Sequence, residues 1–257
     1  IGALPFGIID RGTNLIQVRC TSVCNMRCPF CSTAANDSSV HPTEFIVERQ
    51  YLVDEIRNVV EKKGGDVIIF MDSVGEPTTH PECADIIADL KSMNGVKEVI
   101  LITNGTLLTE ELINKLETAR LDKINISFHA LDKDMTKNLF GQPFYNVDRV
   151  SKMIERITSQ GKIKVMLTPV WLVGINDQEI ERVLQFAKEA KCEVGLQNYE
   201  VHKYGRKMKG VKRESYFKFY NKLRTLEKKY GIKLVYNANA FGVHPAPQLE
   251  KPIERGE

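Results

Sequence analysis

The 257-residue sequence has no long apolar run and little net charge. No stretch approaches the roughly eighteen to twenty apolar residues of a membrane-spanning helix, so we expect no transmembrane segment. Thirty-six Lys and Arg against thirty-three Asp and Glu leave a net charge of +3. A balance this small does not by itself indicate a nucleic-acid partner. The composition is that of a globular protein with enough residues to bury a core.

Cysteine is scarce outside one short stretch. The sequence has six cysteines, and four of them fall between Cys20 and Cys31, whereas Cys83 and Cys192 stand alone. The chain also begins without a basic-then-apolar leader. Clustered thiols without such a leader predict a protein of the reducing cytoplasm rather than a secreted disulfide framework.

The clustered cysteines have the spacing of a metal site. Cys24, Cys28 and Cys31 form a C-x3-C-x2-C pattern, and Phe30 precedes the last of them. Three thiolates on one loop can hold three irons of a four-iron cluster and leave the fourth iron open for catalysis. The alternatives are a disulfide or a structural zinc site, which commonly takes its four ligands as two pairs. Cys20 also fits the first spacing, but we expect it to be a buried thiol on the preceding strand.

Apolar runs of strand length alternate with helical patterns along most of the chain. After a hairpin at 7–20, the pattern predicts strands at 67–71, 99–103, 124–128, 163–170 and 193–198. It predicts helices at 44–63, 81–93, 109–118, 147–159 and 177–190, with Tyr51 on the buried face of the first. Continuous β-branched runs between helices indicate a parallel sheet covered on both faces. Periodicity alone does not distinguish an open sheet from a partial barrel.

Polar residues and glycines follow these strands, at the carboxyl ends where parallel α/β folds place their functional residues. Taken alone, Gly75-Glu76-Pro77 and Asn104-Gly105 are ordinary turns. His129 can be a satisfied structural histidine or a group for substrate or proton transfer. Asn176 with Glu179 predicts a capping box for the next helix.

Together with these strand ends, the cysteine loop resembles the radical S-adenosylmethionine (SAM) superfamily over about residues 8–200. The resemblance implies an α/β fold, a partial (βα)6 TIM-like barrel with a short N-terminal hairpin and a C-terminal helix and extension. It implies a [4Fe–4S] cluster on Cys24, Cys28 and Cys31, whose open iron takes the amino and carboxylate groups of SAM. One electron, from a donor of the ferredoxin or flavodoxin type, would cleave SAM to methionine and a 5′-deoxyadenosyl radical.

The same resemblance assigns SAM contacts to individual residues. Gly75 and Glu76 are similar to the family's GGEP element, which binds the SAM amino group, although Val74 replaces its first glycine. Residues 103–105 are similar to the TNG element of the molybdopterin-type GTP cyclase branch. The other implied contacts are Phe30, Thr103, Asn104, Ser127 at the ribose, and Val170 and Gly174 on the adenine side.

From residue 199 onward the sequence becomes basic. Lys203, Arg206 and Lys207 stand close together beside Tyr204, ahead of a helix expected at about 214–229. A basic loop with aromatics at the mouth of a barrel predicts an RNA substrate bound through these three cations. The alternatives are a small anionic or phosphorylated metabolite held by the same cations, or a solvated helix face with a mobile loop. For the helix we favour the solvated face.

We predict one barrel domain over residues 1–237, with a last strand at 232–236, and an extended linker or tail over 238–257. The predicted function is radical initiation on RNA, with the metabolite second. A non-catalytic iron–sulfur protein is disfavoured by Gly75, Glu76 and Ser127, because an electron carrier needs no SAM pocket. With no second cysteine group and no Asp-x-His-x-x-Gly signature, we expect neither an auxiliary cluster nor cobalamin.

Overall fold

One curved sheet organises the molecule. The computed structural model describes residues 2, 3 and 6–248. Its main sheet runs in the order β1-β2-β3-β4-β5-β6-β7-β9. The first three strands are antiparallel, and every pairing from β3 onward is parallel. The bounds are β1 Gly2–Ala3, β2 Phe6–Asp10, β3 Leu15–Arg19, β4 Val67–Asp72, β5 Val96–Thr103, β6 Lys123–Ile126, β7 Lys164–Leu167 and β9 Glu193–Val194.

Two short strands extend the sheet at its last edge. β8 (Val170–Trp171) pairs in parallel with β10 (Gln197–Asn198). Pro169 has no N–H to donate to a ladder, so β7 ends just before it and β8 begins just after it. The N–H of Gln197 donates to Pro169 O at 2.9 Å, which joins the two parts of the ladder. The sixth predicted strand is therefore present as β9 and β10.

Six helices lie between the parallel strands, and a seventh follows the last strand. They are α1 Arg49–Lys63, α2 Cys83–Ser92, α3 Glu110–Thr118, α4 Lys133–Phe140, α5 Val147–Gln160, α6 Asp177–Glu189 and, after β10, α7 Tyr216–Tyr230. Because each parallel strand pairs with the next one in the chain, the sheet winds in one direction, unlike a doubly wound fold. No pairing closes the ring within the described residues. The prediction of an α/β partial barrel is confirmed.

The two faces of the sheet differ in chemistry. Ile16 and Val18 lie in the main apolar core together with residues of α1 such as Ile56. On the opposite face the Gln17 side chain donates to the Asp72 carboxylate at 3.1 Å. Helices on both faces were expected, but the second face is the inner wall of the barrel.

The predicted elements mostly match, with four differences. α1 begins at Arg49 rather than 44, because Glu48 caps it by accepting from the N–H groups of residues 50 and 51. Tyr51, expected on the buried face of α1, is 54% exposed. α4 was not predicted, and residues 232–236 form no strand. None of the described helices combines the length and the apolar character needed to cross a membrane.

Residues 242–247 pack against the amino-terminal end of the barrel. The buried Asn14, just before β3, donates its backbone N–H to His244 O at 3.0 Å. The buried Lys63 ammonium donates to Asp10 Oδ1 at 2.8 Å and to Pro247 O at 2.9 Å. The domain boundary after residue 237 stays a prediction, and residues 249–257 lie outside the described part of the chain.

We expect Lys63→Met to lower the free energy of unfolding by about 3–5 kcal/mol, because it leaves the Asp10 carboxylate buried without its cation. Lys62→Met, at the exposed neighbouring position, should change it by less than about 0.5 kcal/mol. Urea unfolding followed by circular dichroism measures both. Adding Asp10→Asn should restore part of the loss, and equal stabilities of the two lysine variants would contradict this account.

Candidate active site

The cysteine loop follows β3 and lines a cavity of about 560 Å³ at the carboxyl ends of the strands. The cavity brings together nearly all of the predicted cofactor residues. Those on its wall are Cys24, Cys28, Phe30, Cys31, Gly75, Glu76, Thr103, Asn104, Ser127 and Val170. Gly174 is not among them, since it lies in an exposed turn where its N–H donates to the Asp177 carboxylate at 2.5 Å.

The donor chemistry of this wall fits an iron–sulfur cluster. All six cysteines are free thiols. Burial raises the pKa of Cys24 to about 12 and also raises that of Cys28, so a metal has to displace these protons when it binds. No three His, Cys, Asp or Glu side chains in the described part of the chain surround one point as a closed zinc site requires. Three thiols of one loop on the cavity wall suit a cluster with one iron for each thiolate. Cys20 is fully buried and lies outside the cavity wall.

Side chains from the loop itself fix its path. The Asn36 amide donates to Cys24 O at 2.6 Å and to Met26 O at 2.8 Å. The Thr33 hydroxyl donates to Val74 O at 2.7 Å, which joins the loop to the end of β4. The main-chain carbonyls around the thiols are therefore already paired, and the thiols stay turned toward the cavity.

Two glycines allow the loop to approach other segments. A Cβ on Gly75 would lie 2.0 Å from Val23 O, and the Glu76 N–H donates to that same oxygen at 2.7 Å. A Cβ on Gly141, which ends α4 at φ +64°, would lie 2.1 Å from Arg27 O. Gly75, which the resemblance assigns to SAM, thus also allows a carbonyl of the cysteine loop to approach closely.

Glu76 joins the ends of β4 and β5. Its buried carboxylate accepts from the Thr103 hydroxyl at 2.6 Å, the Thr78 hydroxyl at 2.6 Å and the Asn104 N–H at 2.7 Å. Burial raises the pKa of Glu76, although these hydrogen bonds act in the opposite direction. A bound ammonium group would supply the charge partner that such a desolvated carboxylate lacks.

His129 is buried and contacts both Phe30 and the backbone of Val170. Its Nδ1 accepts from the Val170 N–H at 3.1 Å, which places the proton of the neutral ring on Nε2. Its ring meets the edge of Phe30 at a centroid distance of 5.1 Å. Burial lowers the pKa of His129 to about 3. The histidine therefore stays uncharged and positions its neighbours.

The capping box predicted at Asn176 is wrong. The Asn176 amide donates to His129 O at 3.1 Å and to Val170 O at 3.0 Å instead of capping α6. Glu179 accepts from the N–H groups of residues 131 and 132. Both side chains connect the loop after β6 to the start of α6, because those buried backbone groups need partners.

Arg206 belongs to the cysteine loop rather than to a substrate surface. Its backbone N–H donates to Cys31 O at 2.8 Å. Its guanidinium donates to Cys28 O at 3.1 Å and also to Ala35 O. The expectation that Arg206 contacts RNA or a phosphate is corrected, since these donors are used within the protein. Lys203 and Lys207 are exposed.

The sequence interpretation missed the contribution of α7 to the cavity. Tyr216, Phe219 and Tyr220 line its mouth, although this helix was expected to be a solvated face. Their i, i+3, i+4 spacing was the available signal, because it puts three aromatics on one side of a helix. Asp72 and Glu200 also lie on the wall and were not singled out.

Residues 18–187 match the sequence model of the Radical SAM superfamily. The chain belongs to this superfamily. Its cofactors, as a member, are a [4Fe–4S] cluster and SAM. An uncharacterized protein of Methanocaldococcus jannaschii is 34% identical over all of this chain and 65% of its own length. A probable GTP 3′,8-cyclase of Sulfurisphaera tokodaii is 32% identical over 83% of this chain and 62% of its own length.

The chain thus spans somewhat less than two thirds of these relatives. Solved structures share its fold. Streptococcus suis SuiB bound to S-adenosylmethionine superposes with a TM-score of 0.66 at 18% identity, over 87% of this chain and 49% of that one. A radical SAM methyltransferase from Sphaerobacter thermophilus superposes with a TM-score of 0.67 at 17% identity, over 87% of this chain and 65% of that one.

We expect Gly75→Ala to bind less than half the iron of the wild-type radical SAM protein after anaerobic reconstitution, because the new methyl group would collide with Val23 O. Iron and sulfide analysis measures this, and circular dichroism verifies the fold. Gly161→Ala is the control, because Ala at its φ of +65° strains the backbone while the methyl group meets no atom within 4 Å. Wild-type iron content in Gly75→Ala would show that this contact does not hold the loop.

We expect Arg206→Gln to lose bound iron faster than wild type when a chelator is added, because the loop loses its guanidinium contacts. Lys207→Gln, an exposed position beside it, should lose iron at the wild-type rate. Decay of the cluster's visible absorbance measures both rates. Faster iron loss from Lys207→Gln than from Arg206→Gln would contradict the conclusion that Arg206 holds the cysteine loop.

Proposed function

We propose that this protein reductively cleaves SAM and uses the resulting 5′-deoxyadenosyl radical to abstract hydrogen from a substrate in the 560 Å³ cavity. The observation that carries the proposal is the convergence of Cys24, Cys28 and Cys31 with Glu76 and Ser127 on one cavity wall. A non-catalytic iron–sulfur protein would not require the last two residues there.

The three cysteines would hold the cluster, which when bound supplies one electron to SAM at its open iron. Glu76 would accept from the SAM amino group, since its desolvated carboxylate lies on the cavity wall. The Ser127 hydroxyl would contact the ribose, and Val170 would pack against the adenine. The electron would come from a donor of the ferredoxin or flavodoxin type.

For the substrate we propose RNA, contacted by Lys203 and Lys207. Both lysines are exposed and follow His202, which lies on the cavity wall. The alternative of a small phosphorylated metabolite needs cations inside the cavity. None of the described residues on the cavity wall is Lys or Arg, so the structure supports that alternative less well.

The reconstituted protein with SAM and dithionite is expected to release 5′-deoxyadenosine. The triple variant Cys24→Ala, Cys28→Ala, Cys31→Ala should release none above background, because the cluster loses its three thiolate ligands. Chromatography with mass spectrometry quantifies the nucleoside. Cys192→Ala, which removes a thiol distant from the loop in sequence, is the control and should retain product. Equal release by wild type and the triple variant would refute the proposed function.

A further inference from the structure

The inside of the cavity carries carboxylates and no cation among its described residues. Asp72, Glu76 and Glu200 lie on the wall, together with the neutral His129. Burial raises the pKa of Asp72 and of Glu76, so these groups stand in a poorly solvated space. The nearby cations are already engaged, since Arg19 pairs with Asp72 at 3.5 Å and Arg213 pairs with Glu200 at 2.8 Å. A phosphate placed in the cavity would therefore meet like charge. The part of the substrate that enters is therefore uncharged or a hydrogen-bond donor.

The segment of the chain that borders the cavity after β10 has the opposite charge. Residues 199–230, the mouth segment, contain eleven Lys and Arg against three Asp and Glu. Their net charge of +8 exceeds the +3 of the whole chain, so the remaining residues carry −5. Lys203, Lys207, Lys209 and Lys212 are exposed and have no carboxylate partner in the described residues. A polyanion would therefore be attracted to the surface outside the cavity rather than to its interior.

Aromatic side chains are exposed beside these cations. Tyr204 is 62% exposed, Tyr216 50% and Phe217 76%. Tyr216 also lies on the cavity wall, and the Arg213 guanidinium stands 5.7 Å from its ring centroid. Proteins that bind single-stranded nucleic acid stack its bases on exposed aromatic side chains and contact its phosphates with neighbouring cations.

We propose that the mouth segment docks a single-stranded part of an RNA, with phosphates on the lysines, bases on the exposed aromatics and one nucleobase inside the cavity. This rests on the proposed function, since the cavity is where the radical would form. RNA is the occupant because RNA recognition mostly uses unpaired loops whose bases are free to stack on aromatic side chains. Enzymes that modify a base bring that base into the site and leave its backbone outside.

Glu200 is placed to recognise the inserted base through a hydrogen bond. Its Oε2 accepts from Arg213 Nε at 2.8 Å, which fixes the carboxylate on the cavity wall. The Tyr216 hydroxyl lies beside this carboxylate, but the buried Oε1 accepts no hydrogen bond of good geometry from the described residues. An amino or imino group on a base edge would satisfy this oxygen.

Binding of a fluorescently labelled short single-stranded RNA to the reconstituted full chain tests the docking surface. We expect affinity to fall steeply between about 50 and 200 mM salt, as phosphate contacts require. Lys203→Gln with Lys207→Gln should reduce the slope of log affinity against log salt by about 1.4. Phe217→Ala should weaken binding by about tenfold while leaving the slope unchanged. Circular dichroism checks that each variant is folded.

The matched control is Lys115→Gln with Lys162→Gln, which removes the same charge from outside the mouth segment and should leave the slope as in wild type. Equal slopes in the two double variants would overturn the docking surface. Equal or tighter binding of the same sequence as single-stranded DNA would overturn RNA as the occupant. Competition by free GTP or inorganic phosphate at lower concentration than the RNA would assign the cations to a small ligand instead.

Release of 5′-deoxyadenosine by wild type without any RNA tests the proposed function separately. If wild type cleaves SAM and yet the mouth variants bind RNA like the control, only the docking proposal fails. If RNA binds as expected and no 5′-deoxyadenosine appears, the proposed radical chemistry is wrong, whereas the proposed RNA-docking surface is supported. Addition of the bound RNA should increase wild-type release of the nucleoside.

Discussion

The site depends on how closely the backbone of the cysteine loop packs against other segments of the chain. Three loop carbonyls approach glycines so closely that an added methyl group would collide with them. The pairs are Val23 with Gly75, Arg27 with Gly141 and Ser32 with Gly205. Main chain is held more rigidly than a long side chain, so this packing fixes where the thiols point before a cluster binds. Arg206 adds its donors to the same loop.

The packing also explains the electrostatics of the cavity. Because the loop closes over the strand ends, Glu76 and His129 are buried and the three loop cysteines are partly buried. Burial raises the pKa of Cys24, Cys28 and Glu76, and lowers that of His129. The site then holds acidic groups that need a cation or metal and a histidine that stays neutral. Binding of a cluster and of the SAM ammonium group is the change that would balance these charges.

Much of this arrangement could be predicted from the sequence, because its signals are local. The spacing of Cys24, Cys28 and Cys31 lies within one loop, and strand ends meet in any parallel sheet. Gly141 and Arg206 could not be found that way, since their partners are 114 and 178 positions distant in sequence. A basic stretch likewise does not tell which cations point inward. Asn176 fitted a local capping pattern, but buried carbonyls of the barrel were its partners.

The part of the protein that identifies its chemistry differs from the part that would select its substrate. The family match ends at residue 187, twelve positions before the mouth segment begins. The matched part contains Cys24, Cys28, Cys31 and the residues proposed to contact SAM, whereas Glu200 and the aromatics of α7 lie beyond it. The superfamily match therefore covers the proposed radical initiation, and the proposed substrate contacts fall to residues 199–230. In the proposed complex, the base of a nucleotide lies in the acidic cavity and its phosphate lies on the basic, aromatic surface outside. The positions of the cations therefore favour RNA over a small phosphorylated molecule, which would need cations inside the cavity.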